Sequence, residues 1–430
     1  MVVEIETASG QTPTVASAQL TPAKVRLIAF YLPQFYPLPE NDEWWGKGFT
    51  EWTNVVKAKP LFPGHYQPHL PADLGFYDLR VPEVRAAQAQ LAREYGIHGF
   101  CYYHYWFNGR PVLGRPFSEV LASGKPELPF CLCWANENWT RAWDGKERQV
   151  LLRQEYSLDD DRAHIRALIP AFRDPRYIRV DGKPLFLVYR TEHMPGPART
   201  AEIWREESIR EGIGDIYLAR VESFSARSDP RRMGFDAAVE FAPDWRNLQD
   251  LKYRNVSYRF LNKLGVMSDV YFKLEIARYE GMVRRMLDKG DSDYVRFRCV
   301  APGFDNTPRR SEGAVILGDA TPEQYEVWLA ECVERTLARY RGDERIVFVN
   351  AWNEWAEGNH LEPDTRHGLA YLEATRRALT GETLARQAAR ATQVDHDPVA
   401  PSLAKRLYWR LIKLLRDVLE IAKAVTFMRP

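Results

Sequence analysis

Glu354 and Glu357 stand three residues apart in Trp352-Asn353-Glu354-Trp355-Ala356-Glu357-Gly358. Cleavage of a glycosidic bond typically needs two carboxyl groups, one to protonate the departing oxygen and one to act as nucleophile or base. In a fully extended chain, residues three apart point to opposite faces, whereas a helical turn after Glu354 brings the two Cβ atoms to ~5–6 Å. Gly358 suits the residue that closes such a turn. Loop glutamates usually just face water, but here Trp352 and Trp355 flank the acids and offer broad apolar faces to a ligand.

These acids need a scaffold, and the chain carries eight short, β-prone apolar runs that end in polar or aromatic residues. They are Leu27–Tyr31, Gly99–Tyr103, Phe130–Trp134, Leu185–Tyr189, Ile216–Val221, Ala237–Phe241, Val295–Val300 and Ile346–Ala351. Most gaps between them hold an amphipathic helix, as in Pro82–Tyr95 and Pro322–Tyr340, so the pattern predicts an α/β chain folded as a (β/α)8 barrel. A doubly wound sheet is the structural rival, but no GxGxxG follows the first strand. The longest gaps, 32–98 and 242–294, are expected to decorate the C-terminal face of the barrel, where the catalytic groups of this fold lie. The acids follow the eighth run and therefore fall on that face.

Strand ends supply further candidates for holding sugar hydroxyls and ring faces. These are Tyr31 at the first run, Tyr103, His104 and Trp106 at the second, and Trp134, Asn136, Glu137 and Trp139 at the third. Glu222 follows the fifth, Glu240 and Asp244 stand at the sixth, and Asn306 follows the seventh. Trp352, Asn353, Trp355 and His360 surround the acids, with His360 placed to tune Glu357 or touch substrate. The long first loop adds Trp45, Glu51, Trp52 and His69. Structural hydrogen bonds compete with substrate contact for each of these polar groups. No metal or cofactor is expected: His65 and His69 are four apart, but Pro63, Pro68 and Pro71 oppose a helix there, and HExxH is absent.

At the acids the sequence resembles a known family. Asn353-Glu354-Trp355-x-Glu357-Gly358-x-x-Leu361-Glu362-Pro363 looks like the active-site motif of the endo-α-mannosidase family of glycoside hydrolases. Residues 26 to about 375 are similar to the WbsX family, which is often labelled glycosyltransferase and tends to accompany bacterial O-antigen or capsule genes. The supporting stretches are Tyr31-Leu32-Pro33-Gln34-Phe35, Trp45–Trp52, His69–Tyr77 and Trp134-Ala135-Asn136-Glu137-Asn138-Trp139. The resemblance implies that Glu357 is the general acid/base and that Glu354 draws the proton from the substrate's own 2-hydroxyl, with retention through a 1,2-anhydro sugar. That route suits α-linked manno-configured sugars, mannose or rhamnose. The residues by themselves equally allow Glu354 to be a direct nucleophile. An apolar, aromatic-walled site should raise the pKa of Glu357.

Two other functions compete. A glycosyltransferase would need a sugar-nucleotide donor, and two stretches match a DxD pattern: Asp159-Asp160-Asp161, read more simply as a solvated helix start, and Asp291-Ser292-Asp293, at the barrel end away from the acids. A non-catalytic glycan-binding barrel would have kept the aromatic platform without needing both acids. With 59 basic and 58 acidic residues the net charge is +1, which argues against a nucleic-acid partner and for an oligosaccharide or polysaccharide.

The ends are expected to differ from the barrel. Residues 1–24 read as a flexible lead-in, 25–380 as the barrel, 381–401 as a linker and 402–430 as a basic amphipathic helix. On that helix Tyr408, Leu411, Ile412, Leu415, Leu419 and Ala422 share one face. It could lie on an anionic membrane as a peripheral contact, or pack on the barrel or a partner subunit. Five cysteines without CxxC spacing read as reduced core thiols, and the N-terminus lacks the pattern of a secretory signal, so the expected location is cytoplasmic, with possible membrane association.

Overall fold

The computed structural model describes residues 25–141, 146–222, 228–248, 251, 262–263, 268–310 and 312–383. The expected lead-in and basic helix, and nearly all of the linker, lie outside the described residues.

Eight parallel strands form a closed barrel: β1 (Arg26–Tyr31), β2 (Ile97–Phe107), β3 (Phe130–Trp134), β4 (Lys183–Val188), β5 (Tyr217–Glu222), β6 (Ala237–Glu240), β7 (Val295–Val300) and β8 (Ile346–Val349). Each pairs with its neighbour in sequence, and β1 closes the ring on β8 with Leu27 opposite Val347. Every expected apolar run is one of these strands. The fold is therefore the (β/α)8 barrel that the alternating pattern implies.

The outer layer includes α1 (Pro82–Glu94), α2 (Arg115–Ser123), α3 (Leu158–Arg173), α4 (Pro197–Arg210), α5 (Tyr279–Leu287), α6 (Pro322–Arg339) and α7 (Ala370–Thr380). Their starts are written in the sequence. Pro occupies the first turn of α1, α4 and α6, where its missing N–H has no helical acceptor to lose, and the Ser157 and Thr321 side chains accept from the Asp160 and Gln324 amides. Asp159-Asp160-Asp161 does open α3, but solvation is the wrong account for two of the three. Asp160 accepts from Trp106 Nε1 at 3.0 Å and Asp161 from Thr200 Oγ1 at 2.8 Å, so both are buried structural acceptors.

Side chains alternate between the barrel interior and the helix layer, two residues per period. Phe30 packs inside against Tyr103, Phe241 and Phe348, with ring centroids 5.4–5.6 Å apart. On the outer face Tyr31 meets Tyr102 at 4.5 Å and Phe100 meets Trp352 at 5.1 Å. All five cysteines are buried and unpaired.

Long connections cover the C-terminal face. The one after β1 holds two short helices, Pro39–Trp45 and Glu51–Lys57. After β3, an antiparallel hairpin pairs Trp139–Arg141 with Lys146–Leu152. Among the described residues, no helix is long and apolar enough to cross a membrane.

Candidate active site

After β8 the chain makes a tight hairpin in which Asn353 pairs with His360 and Glu354 with Asn359. Its tip, Trp355–Glu357, is a single 3-10 turn, the helical turn that the spacing of the two acids requires. Gly358 closes it at φ +54, with its N–H bonded to the Trp355 carbonyl at 3.0 Å. A Cβ there would stand 3.1 Å from Asp305 Cβ in a left-handed backbone, so glycine is required on both counts.

Both acids face one cavity of about 560 Å³ at the C-terminal mouth of the barrel. Glu354 is buried and Glu357 is half-buried, its side chain 24% exposed. A single guanidinium joins them: Arg309 Nη2 donates to Glu354 Oε2 at 3.0 Å and Nη1 to Glu357 Oε1 at 2.5 Å. Its Nε donates to Glu51 Oε1 at 2.8 Å, and Glu51 is fully buried behind the site. Burial pushes Glu354 up to about 8 against the pull of Arg309, and pushes Glu357 above the ordinary carboxylate range by the same cause. Burial opposes the charge on Arg309, but Glu51, Glu357 and Glu354 hold its pKa well above the usual value.

The walls are aromatic. Tyr103, Tyr105, Tyr189 and Phe241 rise from the strand ends, and Trp44, Trp45 and Trp139 come from the loops. Trp139 stands edge-on to Trp44 at 5.8 Å and to Tyr105 at 5.3 Å, while Arg141 lies over Trp45 at 5.4 Å. Glu137 adds a polar group to this wall and is salt-bridged to Arg190.

Of the residues proposed from sequence, Trp45, Tyr103, Glu137, Trp139, Glu354 and Glu357 line the cavity. Alternation carries several others to the outer face. Tyr31 donates to Gln88 of α1 at 2.8 Å, His104 meets His164 of α3 at 2.9 Å, and Trp106 bonds to Asp160. Trp134 packs on Trp204 of α4, and Trp352 is fully buried against Phe100. In the same outer layer, Glu222 accepts from Tyr294 at 2.6 Å, and Glu240 and Asp244 flank the buried Lys289 at 3.3 and 2.6 Å.

A third group builds the loops around the cavity. Asn136 caps the main chain of Arg190, Asn306 accepts from the Val315 amide, and Asn353 bonds both main-chain groups of Leu32. Trp52 donates to the Tyr77 carbonyl and packs on Trp355 at 5.5 Å. Trp355 donates to Glu362 at 2.6 Å, a buried acid that also accepts from Tyr77 and Gln88 and is pushed by burial up to about 7. His69 and His360 contact each other at 2.9 Å on the far side of the turn, beside Asp364. Burial lowers both, His69 to about 3, so both are neutral near pH 7.

Sequence reading missed Arg309, as well as the wall residues Trp44, Tyr105, Tyr189 and Phe241. Arg309 lies in the loop after β7, and the available signal was an Arg-Arg pair at a barrel strand end facing a site already credited with several acids.

Comparison with known proteins bears on the family and the fold. Over 407 residues the chain is 47% identical to the uncharacterized protein WxcX of Xanthomonas campestris pv. campestris strain B100, and 46% identical to WxcX of strain ATCC 33913. The alignment takes in 95% of this chain but 55% of each relative, so the chain spans about half the length of the curated relatives it matches. Among solved structures, the GH99 endo-alpha-mannosidase from Bacteroides thetaiotaomicron in complex with BIS-TRIS-propane superposes with a TM-score of 0.50 at 16% identity, covering 85% of this chain and 98% of that one. A glycoside hydrolase-like protein gives 0.51 at 13% identity, covering 83% and 94%. At such identities the likeness is one of fold. The family model described as Glycosyltransferase WbsX matches residues 27–375, the whole barrel with its acid-bearing hairpin, and the chain belongs to that family.

Proposed function

We propose that the protein is a retaining glycosidase or transglycosidase that acts on α-linked manno-configured sugars, mannose or rhamnose, of a bacterial surface polysaccharide. The observation that carries this reading is the pairing of Glu354 and Glu357 on one guanidinium inside an aromatic-walled cavity. Burial raises both carboxyls that Arg309 bridges, Glu354 to about 8, so the pair keeps a proton near neutral pH; glycosidic cleavage needs that proton on Glu357 as the leaving group departs.

In the proposed reaction Glu357, the more exposed acid, gives its proton to the departing glycosidic oxygen. Glu354 takes the proton of the axial 2-hydroxyl as that oxygen attacks the anomeric carbon and the bond to the leaving group breaks. Glu357 then deprotonates water or an acceptor hydroxyl, which opens the 1,2-anhydro sugar, and Glu354 returns its proton to O2. Configuration is retained because the anomeric carbon is inverted twice. Arg309 neutralises whichever carboxyl is ionised, and Tyr103, Tyr105 and Trp139 offer faces on which sugar rings can stack. Direct attack by Glu354 would use the same residues.

The family's description favours a second reading, a glycosyltransferase of O-antigen or capsule assembly that uses a sugar-nucleotide donor. Its candidate donor sites are poor: Asp160 and Asp161 are committed to Trp106 and Thr200, and Asp291 is salt-bridged to Arg298 and Arg339. The deciding experiment incubates the protein with α-mannosyl and α-rhamnosyl oligosaccharides, with and without sugar nucleotides, and follows anomeric configuration by NMR. Donor-independent release with retention is expected. Product formed only with a sugar nucleotide would establish the transferase instead.

A further inference from the structure

Behind the acid-bearing turn lies a second cavity of about 300 Å³, lined by His65, His69, Asp305, His360, Asp364 and His367 among others. We propose that His69, His360 and Asp364 form a binding site for a divalent transition-metal ion, zinc by the chemistry of its donors. One ligand atom from each of the three lies within 4.8 Å of the other two. Sequence reading expected no metal because the prolines oppose a helix at His65 and His69 and no HExxH is present; His65 is instead committed to Asp305 at 2.6 Å, and the partners of His69 in this site lie 291 or more positions away.

The donors are already turned the right way. His360 Nδ1 lies 2.9 Å from the Glu362 carbonyl oxygen, which can only accept, so Nδ1 carries the hydrogen and Nε2 presents its lone pair. A carbonyl partner on the far ring nitrogen is what orients ligating histidines in metal sites generally. Facing that lone pair are His69 Nδ1 at 2.9 Å and Asp364 Oδ2 at 3.8 Å. Around a tetrahedral ion with bonds of ~2.0–2.1 Å, neighbouring donors sit roughly 3.3 Å apart, between these two distances. Asp364 is fixed by its other contacts: Oδ1 accepts the amides of Arg366 and His367 at 2.8 and 2.6 Å, and His367 Nδ1 lies 3.2 Å from Oδ2.

The competing arrangement is a hydrogen bond from His69 to His360 with no ion. It satisfies the two rings and leaves Asp364 Oδ2 to the His367 ring alone, whereas an ion engages all three donors at once. Two imidazoles and one carboxylate suit zinc, whereas magnesium and calcium take oxygen donors. The ion would tie the loop after β1 to both sides of Leu361-Glu362-Pro363 and so clamp the hairpin that carries the acids. It lies outside the cavity that Glu354 and Glu357 line, so its role is structural.

The test uses the full chain, dialysed against EDTA, freed of chelator and titrated with zinc. Bound metal is counted by mass spectrometry, and thermal unfolding is followed in parallel. One zinc per chain and a Tm rise of about 3 °C or more at a hundredfold excess over Kd are expected. His69→Gln and His360→Gln should each lose both effects; if the second fails to fold, the first alone decides. Absence of stoichiometric zinc, or undiminished uptake by folded His69→Gln, overturns the proposal. None of these readouts depends on turnover, so the outcome is separate from that of the glycosidase assay.

Discussion

The main-chain amide of Asp305 donates to the carbonyl oxygen of Glu357 at 2.6 Å, tying the loop after β7 to the turn that presents the Glu357 carboxyl. Four residues further along the same loop, Arg309 grips the Glu357 side chain. Asp305 is itself anchored by Gln67 at 2.8 Å and by His65 at 2.6 Å. His65 Nδ1 accepts from the Leu61 amide, which leaves its Nε2 hydrogen for the Asp305 carboxylate. The loop after β7, braced by the loop after β1, thus fixes one glutamate at both its main chain and its side chain.

Glu357→Gln and Glu354→Gln are each expected to lower kcat by roughly 10²–10⁴-fold while glycan affinity changes little. Turnover on a defined oligosaccharide, read beside calorimetric binding, checks this. Full activity in either variant removes that residue from the mechanism.

Activity should fall as pH rises through about 8, where the pair loses its remaining proton. The shift has a stability consequence of determinate sign. A carboxyl whose folded pKa is raised contributes stability that is fully present below its unfolded pKa and lost as pH rises through the folded one. Urea unfolding at about pH 6 and about pH 9 should show that loss, reduced in Glu354→Gln. A kcat/KM profile flat to about pH 10 would be incompatible with a shared catalytic proton.

Replacing Arg309 with Lys removes the fork that spans both acids while keeping a positive charge for Glu51. The acidic limb of the kcat/KM profile should move upward by about one unit, because a carboxyl less well matched by an opposite charge holds its proton longer. An unchanged limb would mean that Arg309 does not set the ionisation of the pair.

Trp134 and Trp139 lie five positions apart on opposite sides of the barrel wall. Trp134→Ala should cost about 3–5 kcal/mol of stability because it empties the packed layer around His164 and Trp204. Trp139→Ala should leave the unfolding temperature nearly intact and raise KM roughly tenfold by removing a stacking face. Thermal melts beside Michaelis–Menten kinetics separate the two, and the opposite pattern would place the sugar elsewhere.

The eight strands were legible because each apolar run is long enough to bury and is bounded by polar loops. The 3-10 turn at Trp355–Glu357 was legible from the spacing of the acids and Gly358. Which face of a strand looks inward was not. In Tyr102-Tyr103-His104-Tyr105-Trp106 every residue is aromatic or nearly so, and such a run hides the period of two that would have chosen Tyr103 and Tyr105 over His104 and Trp106. Long-range partners were equally silent: His69 and His360 are 291 positions apart, and Arg309 meets Glu51 across 258. Charge pairing over such separations leaves no local pattern to read.

Three carboxyls, Glu51, Glu354 and Glu357, converge on the one guanidinium of Arg309. Burial raises Glu354 and Glu357, so their occupancy by hydrogen ions responds to whatever else enters the cavity. A neutral sugar that displaces water from these acids raises their proton affinity, and an ammonium-bearing ligand lowers it. The heat of ligand binding should therefore depend on the ionisation enthalpy of the buffer, and the affinity of a charged inhibitor should track pH in the opposite sense to that of a neutral sugar.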